Sequence, residues 1–131
     1  MIYTSYFAKL KKLPYNIVPI AICAKVPEWF KGKQYKKLAP TYDILMQYKS
    51  MPNTQLYTAR YKSEVLSHLN PLETIIDIIN LAEPKWEDEN ERLDIVLVCY
   101  EKSEDFCHRH LVAQWLNENG INCEEWTDEK I

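Results

Sequence analysis

The hydrophobic positions fall into short apolar runs separated by longer amphipathic stretches. Ile17 to Cys23 and Asp94 to Tyr100 are the two clearest runs, and the second holds Ile95-Val96-Leu97-Val98-Cys99 without a polar break. Unbroken runs of this length, rich in β-branched residues, predict strands buried on both faces. Pro19 is awkward inside the first run because proline has no N–H for the ladder, so that strand is expected to bulge there or to lie near an edge. Ile2 to Ser5 reads as an opening strand, Gln55 to Tyr57 as a short one, and Ile121 to Trp126 as a last strand at an edge.

The stretches between carry helix signals. Tyr6 to Leu13 predicts a brief helix ended by Pro14, and Pro40 suits the first turn of a helix continuing through Tyr42 to Lys49. Met51-Pro52-Asn53 is a turn, and a helix is expected from about Ala59 to His68. Asn70 is a good N-cap, with Pro71 at the first helical position and Glu73 three residues on, and Leu72, Ile75, Ile76 and Ile79 then share one face. Ser103 can cap the last helix, placing Glu104 and Asp105 in a first turn where the dipole favours negative charge. Leu111, Val112, Trp115 and Leu116 form its apolar stripe and Gly120 its stop. Lys25 to Lys37 is a long aromatic loop, and Pro84 to Leu93 a polar one with the densest acidic run. Strands alternating with helices predict an α/β fold: three-layer and Rossmann-like, with a mostly parallel sheet of about four to five strands and helices on both faces. Ligands of such sheets bind beyond the carboxyl ends of the strands.

Composition narrows the function classes. The 131 residues fit one domain, 1–131, and 47% apolar content is enough to fill its core. A net charge of −3 makes nucleic acid an unexpected partner, since duplex binding draws on a basic excess. The cluster Lys9, Lys11, Lys12, Lys25, Lys31, Lys33, Lys36 and Lys37 still leaves a local basic patch open. No run approaches the ~18 apolar residues of a membrane span, and the N-terminus lacks a signal-peptide layout. A cytoplasmic location without a membrane partner is therefore expected, with Cys23, Cys99, Cys107 and Cys123 as thiols. Gly32 and Gly120 are the only glycines, which excludes a glycine-rich phosphate loop, and no cofactor is implied.

The informative segment runs from Cys99 to Arg109, from a strand's carboxyl end into a helix start. Free N–H groups and the dipole at such a start favour an anion, and a cysteine there gains thiolate character. Cys107 is the candidate nucleophile, His108 its base or orienting group, Glu101 an acid or base, and Arg109 an anion clamp. Cys99, Thr4 and Ser5 are candidate ligand-binding residues on neighbouring strand ends. Each has a plainer reading too: His108 bonded to a carbonyl in the core, Cys107 and Cys99 as small fillers, Arg109 in an ion pair with Glu101, Glu104 or Asp105. Cys99, Cys107 and His108 or His110 are metal-ligand types, but their spacing fits no common zinc pattern, and no metal is expected.

Leu97-Val98-Cys99-Tyr100-Glu101-Lys102, a short spacer, and Phe106-Cys107-His108-Arg109-His110-Leu111-Val112-Ala113 resemble the closing CxE and CHR elements of the domain-of-unknown-function 488 family. Ile2-Tyr3-Thr4-Ser5-Tyr6-Phe7 is similar to that family's first strand and turn, although Ser5-Tyr6 stands in place of its Gly-His-Ser turn. Ile22-Cys23-Ala24-Lys25 likewise replaces its Asp-Val-Arg element, so the chain resembles a compact, divergent member. The resemblance implies a three-layer α/β fold and a cysteine-rich pocket, and supplies no reaction. Two readings of function stay open. One is an enzyme, a cysteine-dependent hydrolase or transferase, acting on a small anionic or nucleotide-like molecule. The other is a non-catalytic binding module for a nucleotide, a small signal, or a protein partner held through the loop from Trp29 to Tyr35.

Overall fold

The computed structural model describes residues 1–14, 16–82 and 94–127, so the expected loop at Pro84 to Leu93 lies outside the described residues. Five strands, β1 (Ile2–Tyr6), β2 (Ile17–Ala21), β3 (Lys33–Gln34), β4 (Asp94–Cys99) and β5 (Cys123–Glu125), form one sheet in the order β3-β2-β4-β1-β5. Every pairing is parallel. The α-helices are α1 (Tyr42–Ser50), α2 (Thr54–Glu64), α3 (Pro71–Leu81) and α4 (His108–Glu118). The three-layer α/β architecture read from the sequence is the one observed.

Strand β4 shows why the sheet is buried on both sides. Its side chains alternate, so Ile95 and Leu97 enter one core and Val96 and Val98 the other. The first core is closed by the four α-helices, through Ile44, Tyr57, Tyr61, Ile75, Ile78, Val112 and Leu116. Among the described residues the opposite layer consists of a 3-10 helix at Phe7–Lys12, the chain around Phe30, and Trp126.

Pro19 lies within β2, opposite Val96 of β4, and the ladder accommodates it. The Ala21 carbonyl accepts from Tyr35 on the β3 side, whereas the Ile22 N–H donates to Val98 on the β4 side. Alternation therefore turns the nitrogen of Pro19 toward β3, and that strand pairs only with Ile20 and Ala21. The missing donor thus faces a stretch with no ladder partner.

Four expectations are corrected. Gln55 to Tyr57 is not a strand: it opens α2, because Asn53 caps that helix by accepting from the Leu56 N–H at 3.0 Å. The helix expected to begin at Ala59 therefore starts five residues earlier, and its far end tightens into a 3-10 turn at Leu66–His68. The long loop after Lys25 contains β3, and two of its aromatics, Phe30 and Tyr35, are buried in the cores, leaving Trp29 exposed. On α3 the buried positions are Thr74, Ile75 and Ile78, while Leu72 and Ile76 stay exposed, so the sheet meets a stripe rotated from the one expected. The cap of α3 forms as read, with the Glu73 N–H donating to the Asn70 side chain at 3.0 Å, and Gly120 ends α4 in the left-handed region at φ 78°.

Candidate active site

Helix α4 begins later than expected. Its N-cap is Cys107, in extended backbone, and Ser103 stands four residues before it. The Ser103 hydroxyl is engaged elsewhere, donating to the Glu125 carboxylate at 2.6 Å. That shift takes Glu104 and Asp105 out of the first turn and leaves the Cys107 sulfur at the positive end of an eleven-residue helix.

Cys107 meets the end of β4. Its sulfur is bonded to that of Cys99, so two of the four cysteines form a disulfide, and Cys23 and Cys123 remain buried free thiols. The expectation of four thiols is corrected here. Spacing along the chain does not reveal this pair; it arises because the loop after β4 returns α4 to the strand it left. Burial pushes the Cys123 thiol up to about 12 and raises that of Cys23, whose S–H donates to the Lys25 carbonyl at 3.3 Å.

His108 is buried and its ring is oriented. Nε2 lies 2.7 Å from the Ile22 carbonyl, which can only accept, so Nε2 carries the hydrogen. Burial holds the imidazole neutral, with its pKa lowered to about 4; the hydrogen bond to Ile22 opposes this in part, and the charge of Arg109 adds to it. Nδ1 is therefore an unprotonated lone pair, and it faces the Cys107 sulfur at 3.8 Å. The carbonyl-bonded core histidine is thus observed, and the same ring turns its second nitrogen toward Cys107. The two sulfurs and a ring nitrogen lie within 4.8 Å of one another, close enough to hold three positions around a metal ion. Bonded to each other, the sulfurs carry no thiolate charge to offer one.

A cavity of about 310 Å³ opens beside these groups, at the carboxyl ends of β2 and β4. Cys99, Cys107 and His108 line it together with Cys23 and Glu101. Tyr48, Tyr57 and Phe106 supply an aromatic wall, with ring centroids 5.0 to 5.8 Å apart. Lys25 and Lys49 stand at the exposed rim, which the Tyr100 hydroxyl ties down by donating to the Lys25 carbonyl at 2.7 Å. Tyr100 in turn packs edge-on to Phe7, which also carries Trp29 and Phe30.

Arg109, Thr4 and Ser5 do not line this cavity. Arg109 is fully buried and paired with Glu125, its Nη2 at 2.8 Å from Oε2 and its Nε at 3.1 Å from Oε1. Its Nη1 donates to the Glu101 carbonyl at 2.6 Å and to the Cys99 sulfur at 3.2 Å. The expected ion pair with Glu101, Glu104 or Asp105 is replaced by this one, because α4 turns the guanidinium inward, toward β1 and β5. Thr4 donates to the same carboxylate at 2.7 Å. Burial alone would raise the Glu125 pKa, but the hydrogen bonds from Arg109, Ser103 and Thr4 outweigh it and hold the carboxyl below its ordinary range. Ser5 is buried in β1 and its hydroxyl has no hydrogen-bond partner among the described residues.

The sequence model of the family DUF488-N3a, described as the active DUF488-N3 subclade, matches residues 11–120. The chain belongs to this family. The matched span contains the whole DUF488 strand-to-helix element, from Cys99 to Arg109, and every residue lining the cavity. It stops short of Glu125, so the carboxylate that anchors Arg109 lies outside it. No curated protein and no solved structure matches the chain. Among the described residues, no helix is long and apolar enough to cross a membrane.

Several functional candidates were missed in the sequence. Tyr48, Tyr57 and Phe106 come from three separate segments, and Lys49 lies in the last turn of α1; no local pattern marks them as neighbours. Cys23 carried a usable signal, because it sits at the end of an apolar run as Cys99 does.

Proposed function

We propose that this protein is a cysteine-dependent enzyme acting on a small anionic or nucleotide-like molecule, with Cys107 in its reduced form as the nucleophile. The observation that carries the reading is the direction of His108: its Nε2 is held by the Ile22 carbonyl, and its bare Nδ1 faces Cys107 on the wall of a cavity. The bare Nδ1 can accept a hydrogen bond from the thiol and take its proton as a thiolate forms at the helix start. The thiolate's charge there offsets the burial that makes the ring a weak base. The aromatic wall of Tyr48, Tyr57 and Phe106 suits a flat ring, and Lys25 and Lys49 suit its negative group. Glu101, at the exposed rim, is the acid or base available to a leaving group. Arg109 acts as a positioning residue, fixing the Glu101 backbone and the end of β4. The name of the matching subclade, which calls it active, agrees with an enzyme.

The test begins with the reduced full chain. Alkylation of Cys107 by iodoacetamide at pH 7 should run about tenfold faster than that of a free thiol, and His108→Asn should remove the advantage. Lys49→Glu should weaken retention of copurifying anions detected by native mass spectrometry. A Cys107 no more reactive than a free thiol rules out the nucleophile. Full ligand retention in Cys107→Ser together with full biological effect would favour the non-catalytic binding module.

A further inference from the structure

The nucleophile is joined to a second sulfur, and each of the two sulfurs has its own charge-handling partner. Cys107 has the Nδ1 lone pair of His108 at 3.8 Å and the start of α4. Cys99 has the Arg109 guanidinium, whose Nη1 donates to its sulfur at 3.2 Å. A disulfide that serves only to staple a loop uses neither arrangement. A pair that opens needs both, since exchange proceeds through thiolates and is faster when the leaving sulfur is a stabilised anion. Both cysteines also line the cavity, the side from which a small reactant would approach them.

We propose that Cys99 and Cys107 are a reversible dithiol–disulfide couple that exchanges electrons with a small disulfide admitted to the cavity. In the dithiol form Arg109 holds Cys99 as the thiolate, while His108 takes the proton of Cys107. The Cys107 thiolate attacks one sulfur of the disulfide RSSR, an S–S bond breaks, and RS⁻ leaves. The product is a mixed disulfide of Cys107 with RS. The Cys99 thiolate then attacks the Cys107 sulfur, the mixed bond breaks, and a second RS⁻ leaves. One RS⁻ takes the proton held on His108 and the other takes one from water. The two cysteines lose two electrons, RSSR gains them, and two RSH are formed. Two molecules of a small thiol RSH reverse the sequence, leaving as RSSR, and return the enzyme proposed above to its nucleophilic state. The couple shares the cavity and Cys107 with that reading.

The test uses the reduced full chain, equilibrated anaerobically in mixtures of reduced and oxidised glutathione and then alkylated in denaturant. Peptide mass spectrometry should show labelling of Cys99 and Cys107 falling together as the oxidised fraction rises, while Cys23 and Cys123 stay labelled throughout. Cys99→Ser should accumulate a glutathione adduct on Cys107 that the wild type resolves. Should that variant fail to fold, the wild-type titration decides alone. Labelling of both cysteines at every ratio, or of neither at any ratio, overturns the couple. So does a stoichiometric metal in the reduced protein that keeps both sulfurs from oxidation. Fast alkylation of reduced Cys107 with no bond to Cys99 sinks the couple and leaves the nucleophile standing. Reversible bonding in a protein that retains no anion does the opposite.

Discussion

Glu125→Gln tests how the site is held. The Glu125 carboxylate accepts from Thr4 at 2.7 Å, from Ser103 at 2.6 Å and twice from Arg109, at 3.1 and 2.8 Å. The substitution keeps the shape and removes the charge, leaving a guanidinium that is fully buried without its counterion. Breaking one side of a buried pair costs about 3–5 kcal/mol. The Glu125 side chain is 21% exposed, so water can offset part of this, and a loss of about 2–4 kcal/mol is expected. In urea, with a slope of about 1.5 kcal/mol per molar for a chain of this size, the midpoint should fall by about 1.3–2.7 M. Arg109→Met alone should cost a similar amount. The pair Arg109→Met with Glu125→Leu should lose less than the sum of the single changes, by at least about 1 kcal/mol, because no charge is then stranded. The linkage has a sign as well. A carboxyl held below its ordinary range stabilises the fold above the unfolded value of about 4.3, and the contribution fades as pH falls through the lower folded value. Glu125→Gln should therefore flatten the acid limb. A midpoint shift under about 0.3 M, with no coupling in the cycle, would refute the reading of this pair as the anchor of α4.

Two further outcomes follow from the geometry. Because burial lowers the His108 pKa from 6.5 to about 4, the unfolded chain binds the extra proton first. Stability should rise with pH between about 4 and 6.5, by roughly 3 kcal/mol in total, and His108→Asn should remove that slope in urea titrations across the window. Gly32→Ala places a Cβ only 2.6 Å from the Phe30 ring, so that ring must leave its seat against Phe7. A loss of about 1–3 kcal/mol is expected, read as a lower thermal midpoint, and an unchanged midpoint would show that the ring gives way freely.

The parts of the fold legible in the sequence were those with local causes. The apolar run of β4 specifies burial on both faces, and Asn70 with Pro71 specifies where α3 begins, since a cap satisfies its own helix. The parts that were not legible depend on distant partners. Asn53 is as good a cap as Asn70, but the β-prone Gln55-Leu56-Tyr57 behind it obscured the helix, and only packing of Tyr57 and Tyr61 under the sheet resolves the conflict. Ser103 looked like the cap of α4 because its own neighbours favour that role; its hydroxyl goes instead to Glu125, twenty-two residues on. The Cys107-His108-Arg109 element was rightly placed at the junction of strand and helix. Which way each side chain turns was set by residues from other elements: Ile22 for the histidine, Glu125 for the arginine, Cys99 for the cysteine.

The Arg109–Glu125 pair also orders events in time. Glu125 belongs to β5, which follows the other four strands along the chain and, among the described residues, lies at a sheet edge and pairs with β1. During synthesis, Cys99, Cys107 and His108 leave the ribosome before it does. Until β5 docks, β1 lacks one neighbour and the guanidinium behind the disulfide has no carboxylate. A growing chain thus carries Cys107 well before it can hold the arginine beside it in place, and β5 acts as a latch that closes late on this part of the fold.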